Sequence, residues 1–183
     1  MTGAAIFKTS RLVARDMNPD DWRELVAFAC LPEVARMMAS VKTDWSETEA
    51  RAWMARAPFR GQPGFCLGLH DTAGVLVGFL GIAPLPDMGV PSVMYAIAPE
   101  YQGRGYATEA LRALLVLAFG PLDVSSVGAD HFHDNLASGR VLSKLGFKYI
   151  RDDTAKSAAR VEPERILLYR LTKSQFEAAH EIS

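Results

Sequence analysis

The stretch Tyr95-Ala-Ile-Ala-Pro-Glu-Tyr-Gln-Gly-Arg-Gly-Tyr-Ala-Thr-Glu-Ala-Leu111 constrains this chain more than any other. An apolar run over residues 93–98 stops at Pro99. A short loop with Gly103 and Gly105 follows, and a helical pattern then continues to Phe119. The order is strand, glycine turn, helix. Glycines let a backbone turn sharply with its amides outward and no Cβ in the way. The helix start adds unpaired N–H groups and the positive end of its dipole, so the segment suits a phosphate or pyrophosphate. The plain alternative is a glycine turn that does no more than lead into an ordinary helix.

The letters narrow the ligand. A nucleotide-binding Walker loop needs Lys-Ser or Lys-Thr after its last glycine, and here Gly105 is followed by Tyr106. A dinucleotide fingerprint needs a third glycine where Thr108 stands. Gln102, Gly105 and Ala107 instead make the pattern Gln-x-x-Gly-x-Ala. It resembles the coenzyme A pyrophosphate loop of the GNAT acyltransferases.

Length and composition remove other classes. With 183 residues, 49% of them hydrophobic and 22% charged, one globular domain over residues 1–183 is expected. A net charge of −1 gives no electrostatic case for nucleic acid or an acidic membrane. Cys30 and Cys66 are far apart in apolar contexts, and read as reduced core thiols. No leader-like pattern opens the sequence and no 18-residue apolar run occurs, so a soluble cytoplasmic protein is expected.

Along the chain, residues 1–10 read as a lead-in and 11–15 as a first strand. Asn18-Pro-Asp-Asp21 carries helix-start chemistry, and Trp22, Leu25, Val26 and Ala29 form one apolar stripe. A second helical piece is expected over 32–39. Ser46 and Glu49 form a capping box before the stripe of Ala50, Trp53, Met54 and Ala57. Residues 64–70 and 75–82 read as strands joined by a glycine-containing hairpin loop, 84–91 as a loop, and 92–97 as the strand entering the opening motif. Residues 127–132 make the next strand and 135–145 a short helix. Gly146 stops that helix, and Phe147 can fold back on Leu142. Residues 148–151 and 165–171 are closing strands around a charged linker, and 173–180 a terminal helix. The order specifies a mixed α/β domain.

A second motif agrees with the first. Asn135-Leu-Ala-Ser138-Gly-Arg-Val-Leu-Ser-Lys-Leu-Gly-Phe147 resembles a helix of the GNAT subgroup that contains the RimJ/RimL-like ribosomal-protein N-terminal acetyltransferases. The lead-in Thr9-Ser-Arg-Leu12 and the block Pro99–Ala110 occur in that subgroup's order and spacing. The resemblance implies a central mixed, mostly antiparallel sheet with two splayed central strands, flanked by helices. It implies acetyl-CoA as acyl donor, with its pantetheine arm between the strand ending at Ile97-Ala98 and the strand 127–132. The amides of Gly103, Arg104, Gly105, Tyr106, Ala107 and Thr108, beside Gln102, would hold its pyrophosphate. Asn135 would contact the arm or an ordered water, and Ser138 would hydrogen-bond to the departing thiolate. A backbone N–H near Ile97–Ala98 would stabilise the oxyanion. Catalysis would rest on Ser138 and Asn135, by direct attack in a ternary complex, in a monomer or homodimer.

Acceptor chemistry is less constrained. A peptide α-amine, with a pKa near ~8, is partly neutral at pH 7, whereas a lysine near ~10.4 needs a well-placed base. Two features depart from relatives. Leu142 stands where many GNAT enzymes have a tyrosine acid, and Pro91-Ser92 and Lys156-Ser157 stand where some subgroup members carry a carboxylate. The general base is therefore unassigned, with His131 or His133 as weak candidates. These two histidines share a strand face, but no third ligand has matching spacing for a metal. Glu109 reads as a solvated first-turn acid and Glu100 as a surface residue, while Arg104 meets a phosphate or is simply exposed. The alternatives to an N-terminal amine are a small-molecule amine (polyamine, amino acid or antibiotic) and a CoA-binding sensor that has lost catalysis.

Overall fold

A computed structural model describes residues 4–85 and 89–180. Eight strands form one sheet: β1 (Ala5–Lys8), β2 (Leu12–Arg15), β3 (Phe65–Asp71), β4 (Leu76–Leu85), β5 (Val90–Ile97), β6 (Ser126–Phe132), β7 (Lys148–Ala155) and β8 (Glu164–Thr172). Their spatial order is β1-β2-β3-β4-β5-β6-β8-β7, and every neighbouring pair is antiparallel except β5–β6. Six helices flank the sheet: α1 (Trp22–Ala29), α2 (Pro32–Ala35), α3 (Glu47–Ala55), α4 (Tyr106–Phe119), α5 (Leu136–Lys144) and α6 (Lys173–His180).

The parallel pair is the weak seam. β4 and β5 register over their whole shared length, from Gly78↔Ile97 to Leu85↔Val90. β5 and β6 register only at Ser92↔Gly128 and Val93↔Ala129, and then diverge. β5 continues to Ile97 and β6 to Phe132 without a mutual partner, so a wedge opens in the middle of the sheet.

Two cores hold the strands from opposite faces. On one, Leu111, Leu114, Leu115 and Ala118 of α4 pack on Leu67, Leu80, Ile82, Val93 and Ile97. On the other, Leu25 and Phe28 of α1 and Trp53 of α3 pack on Leu76, Phe79 and Ala98. Trp53 meets the Phe79 ring edge-on at 5.1 Å. The apolar stripes of α1 and α3 thus become the second layer, as their helical spacing dictates.

Termination is local. Ser46 accepts from the Glu49 amide and Glu49 accepts from the Ser46 amide, the expected capping box at the start of α3. At the end of α5, Gly146 takes φ +88°, Phe147 N–H donates to Leu142 O, and Gly146 N–H donates to Ser143 O. That is a Schellman stop, and a side chain at Gly146 would be strained there.

Several expectations are corrected. The lead-in contains β1, which pairs with β2. Much of the expected loop over 84–91 is strand, because β4 runs to Leu85 and β5 starts at Val90; its residues 86–88 lie outside the described residues. The expected helix over 32–39 is four residues long and continues as turns. β7 runs on to Ala155, so the expected linker shrinks to 156–163. Cross-strand pairing with β8 overrode the polar composition of Arg151, Asp152 and Asp153.

Candidate active site

After Ile97 the chain makes one tight turn at Pro99–Tyr101 and enters the glycine loop. Gly103 (φ +73°) and Gly105 (φ +80°) are both left-handed, a conformation costly for any residue with a side chain. α4 then begins at Tyr106. Its first internal bond is Glu109 N–H to Gly105 O at 3.0 Å, and among the described residues the amides from Gly103 to Thr108 donate to nothing. Six adjacent unspent N–H groups at a helix start are chemically suited to receive an anion.

The loop is held from outside by side chains. Gln102 Nε2 donates to Ile97 O at 2.9 Å. Arg11 Nη1 donates to Arg104 O at 2.9 Å, and its guanidinium lies 4.6 Å from the Tyr106 ring centroid. Glu109 is not the solvated acid expected from its position. It accepts from the Thr9 hydroxyl, the Arg11 amide and the Arg11 side chain. Burial pushes its carboxyl up, but the bonds from Thr9 and Arg11 outweigh that and hold it low. The Thr-Ser-Arg-Leu lead-in is therefore a strap that ties the sheet edge to the loop. Arg104 itself is exposed and stacks over Tyr101.

A cleft of about 540 Å³ starts at this loop and runs between the end of β5 and α5, the helix that follows β6. Its walls include Tyr95 and Ile97 from β5, Asn135 and Ser138 from α5, and Val34 and Met37 from the α2 region. Ala98 N–H is spent on Val77 O at 2.9 Å. By the alternation of an antiparallel ladder, the Ile97 and Tyr95 backbones then face away from β4, toward the opened strand. The expected oxyanion donor near Ile97–Ala98 narrows to Ile97, while Ala98 contributes buried packing.

At the deep end of the cleft, Asn135 caps α5, its Oδ1 accepting from Ser138 N–H at 3.1 Å. Its side-chain NH₂ makes no hydrogen bond among the described residues and belongs to a residue that lines the cleft. Ser138 is buried, and its Oγ lies 2.7 Å from Tyr95 Oη. Burial raises the Tyr95 phenol to about 12, so it stays protonated at every working pH. Sequence reasoning passed over Tyr95, although its β5 alternation with Val93 and Ile97 already put it on the cleft side.

His131 and His133 do not serve the cleft in the way expected. His131 is buried beneath α5, with Nδ1 2.8 Å from Phe132 O and Nε2 3.2 Å from Tyr169 Oη. The carbonyl can only accept, so Nδ1 carries the proton and Nε2 accepts from Tyr169. A Cβ on Gly139 would come within 3.0 Å of that ring, so α5 rests directly on it. His133 is exposed beside Glu164.

On the opposite face of β6 sits the carboxylate that sequence reasoning lacked. Asp130 follows Ala129, the last residue registered with β5, and so stands where the strands part. It shares its face with Phe132, against which Met37 packs. Solvent reaches the side chain, and its carboxylate makes no hydrogen bond or ion pair among the described residues. The surrounding protein pushes its carboxyl pKa up from the ordinary value, with neighbouring His131 pulling the other way. A free, partly desolvated carboxylate holds a proton more readily than a surface one.

The wall above Met37 is built by Arg160. Its guanidinium bonds Asp134 (2.8 Å) and Arg36 O (2.8 Å), and lies 4.4 Å from the Phe132 ring centroid. Ser157 Oγ donates to Met38 O at 2.7 Å, so residues 156–163 clamp α2 over the wedge.

Neither cysteine is poised as a nucleophile. Burial pushes the Cys66 thiol to about 12, and burial also raises Cys30. Among the described residues no His, Cys, Asp and Glu cluster could hold a metal, and no helix is long and apolar enough to cross a membrane.

A mixed sheet split at one parallel pair, with unspent amides in a loop at the mouth of the split, is the architecture of an acyltransferase domain. The chain belongs to the GNAT acetyltransferases: the family model described as "Acetyltransferase (GNAT) domain" matches residues 11–148. It is 30% identical over 151 residues to the Bacillus subtilis N-acetyltransferase YoaA, covering 78% of this chain and 82% of that protein. It is 26% identical to an Aspergillus fumigatus FsC-acetyl coenzyme A-N(2)-transacetylase over 65% of this chain, spanning about half (54%) of that relative. Among solved structures, a Bacillus anthracis GNAT acetyltransferase superposes with TM-score 0.78 at 18% identity, covering 91% of this chain and 98% of that one. RimL, a ribosomal α-N-protein acetyltransferase in complex with coenzyme A, superposes with TM-score 0.72 at 17% identity, covering 92% and 98%.

Proposed function

We propose that this chain, acting as one catalytic domain, transfers an acetyl group from acetyl-CoA to the α-amine of a polypeptide. One observation carries the reading: a six-amide anion cradle and a free carboxylate stand on opposite sides of the same strand split. Acetyl-CoA would supply an activated acetyl thioester. The amides of Gly103 to Thr108 would hold its pyrophosphate, with Gln102 and Arg11 keeping the loop in shape. The Tyr95 backbone groups left free by β6 would pair with the pantetheine arm, and Asn135 and Ser138 would stand at the thioester end.

The chemistry then divides by face. Ile97 N–H is the donor available to the carbonyl oxygen as it gains charge. Asp130 takes the proton that the amine sheds on attack, directly or through one water. Ser138 stabilises the departing thiolate. A carboxylate without a hydrogen-bond partner beside the strand split favours an active enzyme over a CoA sensor.

The acceptor wall supports a peptide. Val34, Met37 and Met38 line it, and methionine surfaces adapt to varied side chains. An aminoglycoside or polyamine would call for several converging carboxylates, and among the described residues that line the cleft Glu33 is the one acid. The relative named for N(2)-acetylation of FsC favours a small amine as the second reading. The test measures thiol release from acetyl-CoA with short peptides of varied N-terminal residue, the same peptides N-blocked but with a free lysine, polyamines, amino acids and aminoglycosides. Turnover on free N-termini and none on the blocked peptides is expected. Faster turnover on a small amine would replace the peptide reading, and no turnover on any acceptor despite CoA binding would overturn catalysis.

A further inference from the structure

We propose that Tyr95 is a positioning residue for the leaving group: it holds the Ser138 hydroxyl so that the serine proton points at the thioester sulfur. The proposal rests on the acetyl-CoA reading above and adds a residue and a direction to it. Tyr95 reaches across the open wedge from β5, and its phenol oxygen lies 2.7 Å from Ser138 Oγ and 3.4 Å from Ser138 O. Both groups line the cleft. The contact to Oγ is much the shorter of the two, and a phenol is a better donor than an aliphatic hydroxyl, so the proposal runs the shared proton from Tyr95 to Ser138 Oγ.

That assignment has a consequence for Ser138. Its amide is already committed to Asn135 Oδ1, which fixes the first turn of α5. A serine in a helix ordinarily turns its hydroxyl back to a carbonyl one turn earlier. Here one lone pair of Oγ faces the phenol, so the oxygen is anchored on the cleft side and its own hydrogen is left for an acceptor in the cleft.

Magnitudes decide against proton transfer through the pair. Burial holds the Tyr95 phenol at about 12, while an ordinary thiol lies near ~8.5. Moving the phenolic proton to a thiolate would run uphill by several units. The balanced step needs no such transfer. The amine lone pair forms the N–C bond, the C–S bond breaks with its electron pair going to sulfur, and the ammonium proton leaves through Asp130 or water. Ser138 donates a hydrogen bond to the thiolate, which is protonated from solvent after release. Tyr95 remains neutral throughout and acts through Ser138.

The test reads the thiol of bound coenzyme A, followed by thiolate absorbance in a pH titration of the binary complex. Tyr95→Phe removes one hydroxyl and keeps the ring. It should raise the bound thiol pKa by roughly 0.5–1 unit, and Ser138→Ala should raise it by at least as much. The double variant should match Ser138→Ala alone, because one acts through the other. Replacing the Tyr95 phenol by its 3-fluoro analogue, a stronger donor of nearly the same shape, should lower the thiol pKa, which keeps the test decisive if the phenylalanine variant does not fold. In turnover, Tyr95→Phe should lower kcat about tenfold with little change in KM for acetyl-CoA. A thiol pKa that responds to Ser138→Ala and ignores both Tyr95 changes overturns the positioning role. Failure of the wild-type protein to bind coenzyme A overturns the donor reading itself, and this role with it.

Discussion

Residues 103–108 leave six consecutive amides unspent at the mouth of the cleft, whereas across it Met37 is backed by Asp134 and Arg160, from segments as much as 123 residues apart. The donor side is backbone, set by two left-handed glycines and a helix start. The acceptor side is side chain, set by which strand parts from which and which loop lies across α2. A backbone site is written in a short local pattern and resists most side-chain changes. A side-chain site is written nowhere in particular, and single substitutions can remake it. This difference is why the donor could be named from the sequence and the acceptor could not.

The comparison can be broken at several points, and the largest expected effect is structural. Arg15 and Asp21 form a buried ion pair at 2.9 Å, with His70 Nε2 3.4 Å from the same carboxylate, and they anchor the start of α1 on β2 and β3. Burial alone would raise Asp21, but the contacts of His70, Arg15 and the Asn18 amide outweigh it and hold it at about 2. Its folded pKa is depressed, so its stabilisation is present above the unfolded value near ~3.9 and is lost as pH falls through about 2. Asp21→Ala leaves Arg15 buried without its partner and should cost about 3–5 kcal/mol in a urea melt at pH 7. The variant should also lose part of the wild-type decline between pH 4 and 2. Because this pair supports the acceptor layer, the folded fraction should keep its affinity for coenzyme A.

Asp130→Asn comes next. It should lower kcat roughly 10²–10⁴-fold, the usual range for loss of a general base, with coenzyme A affinity unchanged by calorimetry. An equal loss of donor affinity would merge the two sides that the split keeps apart.

Arg160→Ala removes the clamp on Asp134 and Arg36 O. A loss of roughly 1.5–3 kcal/mol in stability and a severalfold rise in KM for the acceptor are expected, with KM for acetyl-CoA unmoved. The smallest effect belongs to the donor side. Gly105→Ala forces a side chain into the left-handed region at about 1–2 kcal/mol, and should raise KM for acetyl-CoA about tenfold while sparing acceptor KM. A loss confined to the acceptor would reverse the assignment of the two sides.

Legibility followed the range of the interactions. The capping box at Ser46, the Gly146 stop, the α4 stripe and the glycine loop are each settled within a few residues, and each was readable. β1 was not, because a four-residue strand at a sheet edge exists only through its pairing with β2. The tail of β7 was hidden by its charges and revealed by its pairing with β8. Glu109 was read as solvated because nothing near it in the chain forecasts Thr9 and Arg11, some hundred residues earlier. His131 drew attention as a strand histidine, yet its partner Tyr169 and the approach of Gly139 make it part of the floor under α5.

The sequence by itself determined the family, the anion loop and the serine at the head of α5, because local backbone geometry follows from glycines, caps and periodicity. Only the tertiary structure decided that Ile97 rather than Ala98 turns its amide away from β4, that Tyr95 Oη meets Ser138 Oγ, and that Asp130 stands without a hydrogen-bond partner where β5 and β6 part. Those facts depend on which strand ends its pairing first. That is settled by the competition of β4 and β8 for the two central strands, a balance that no short stretch of sequence contains.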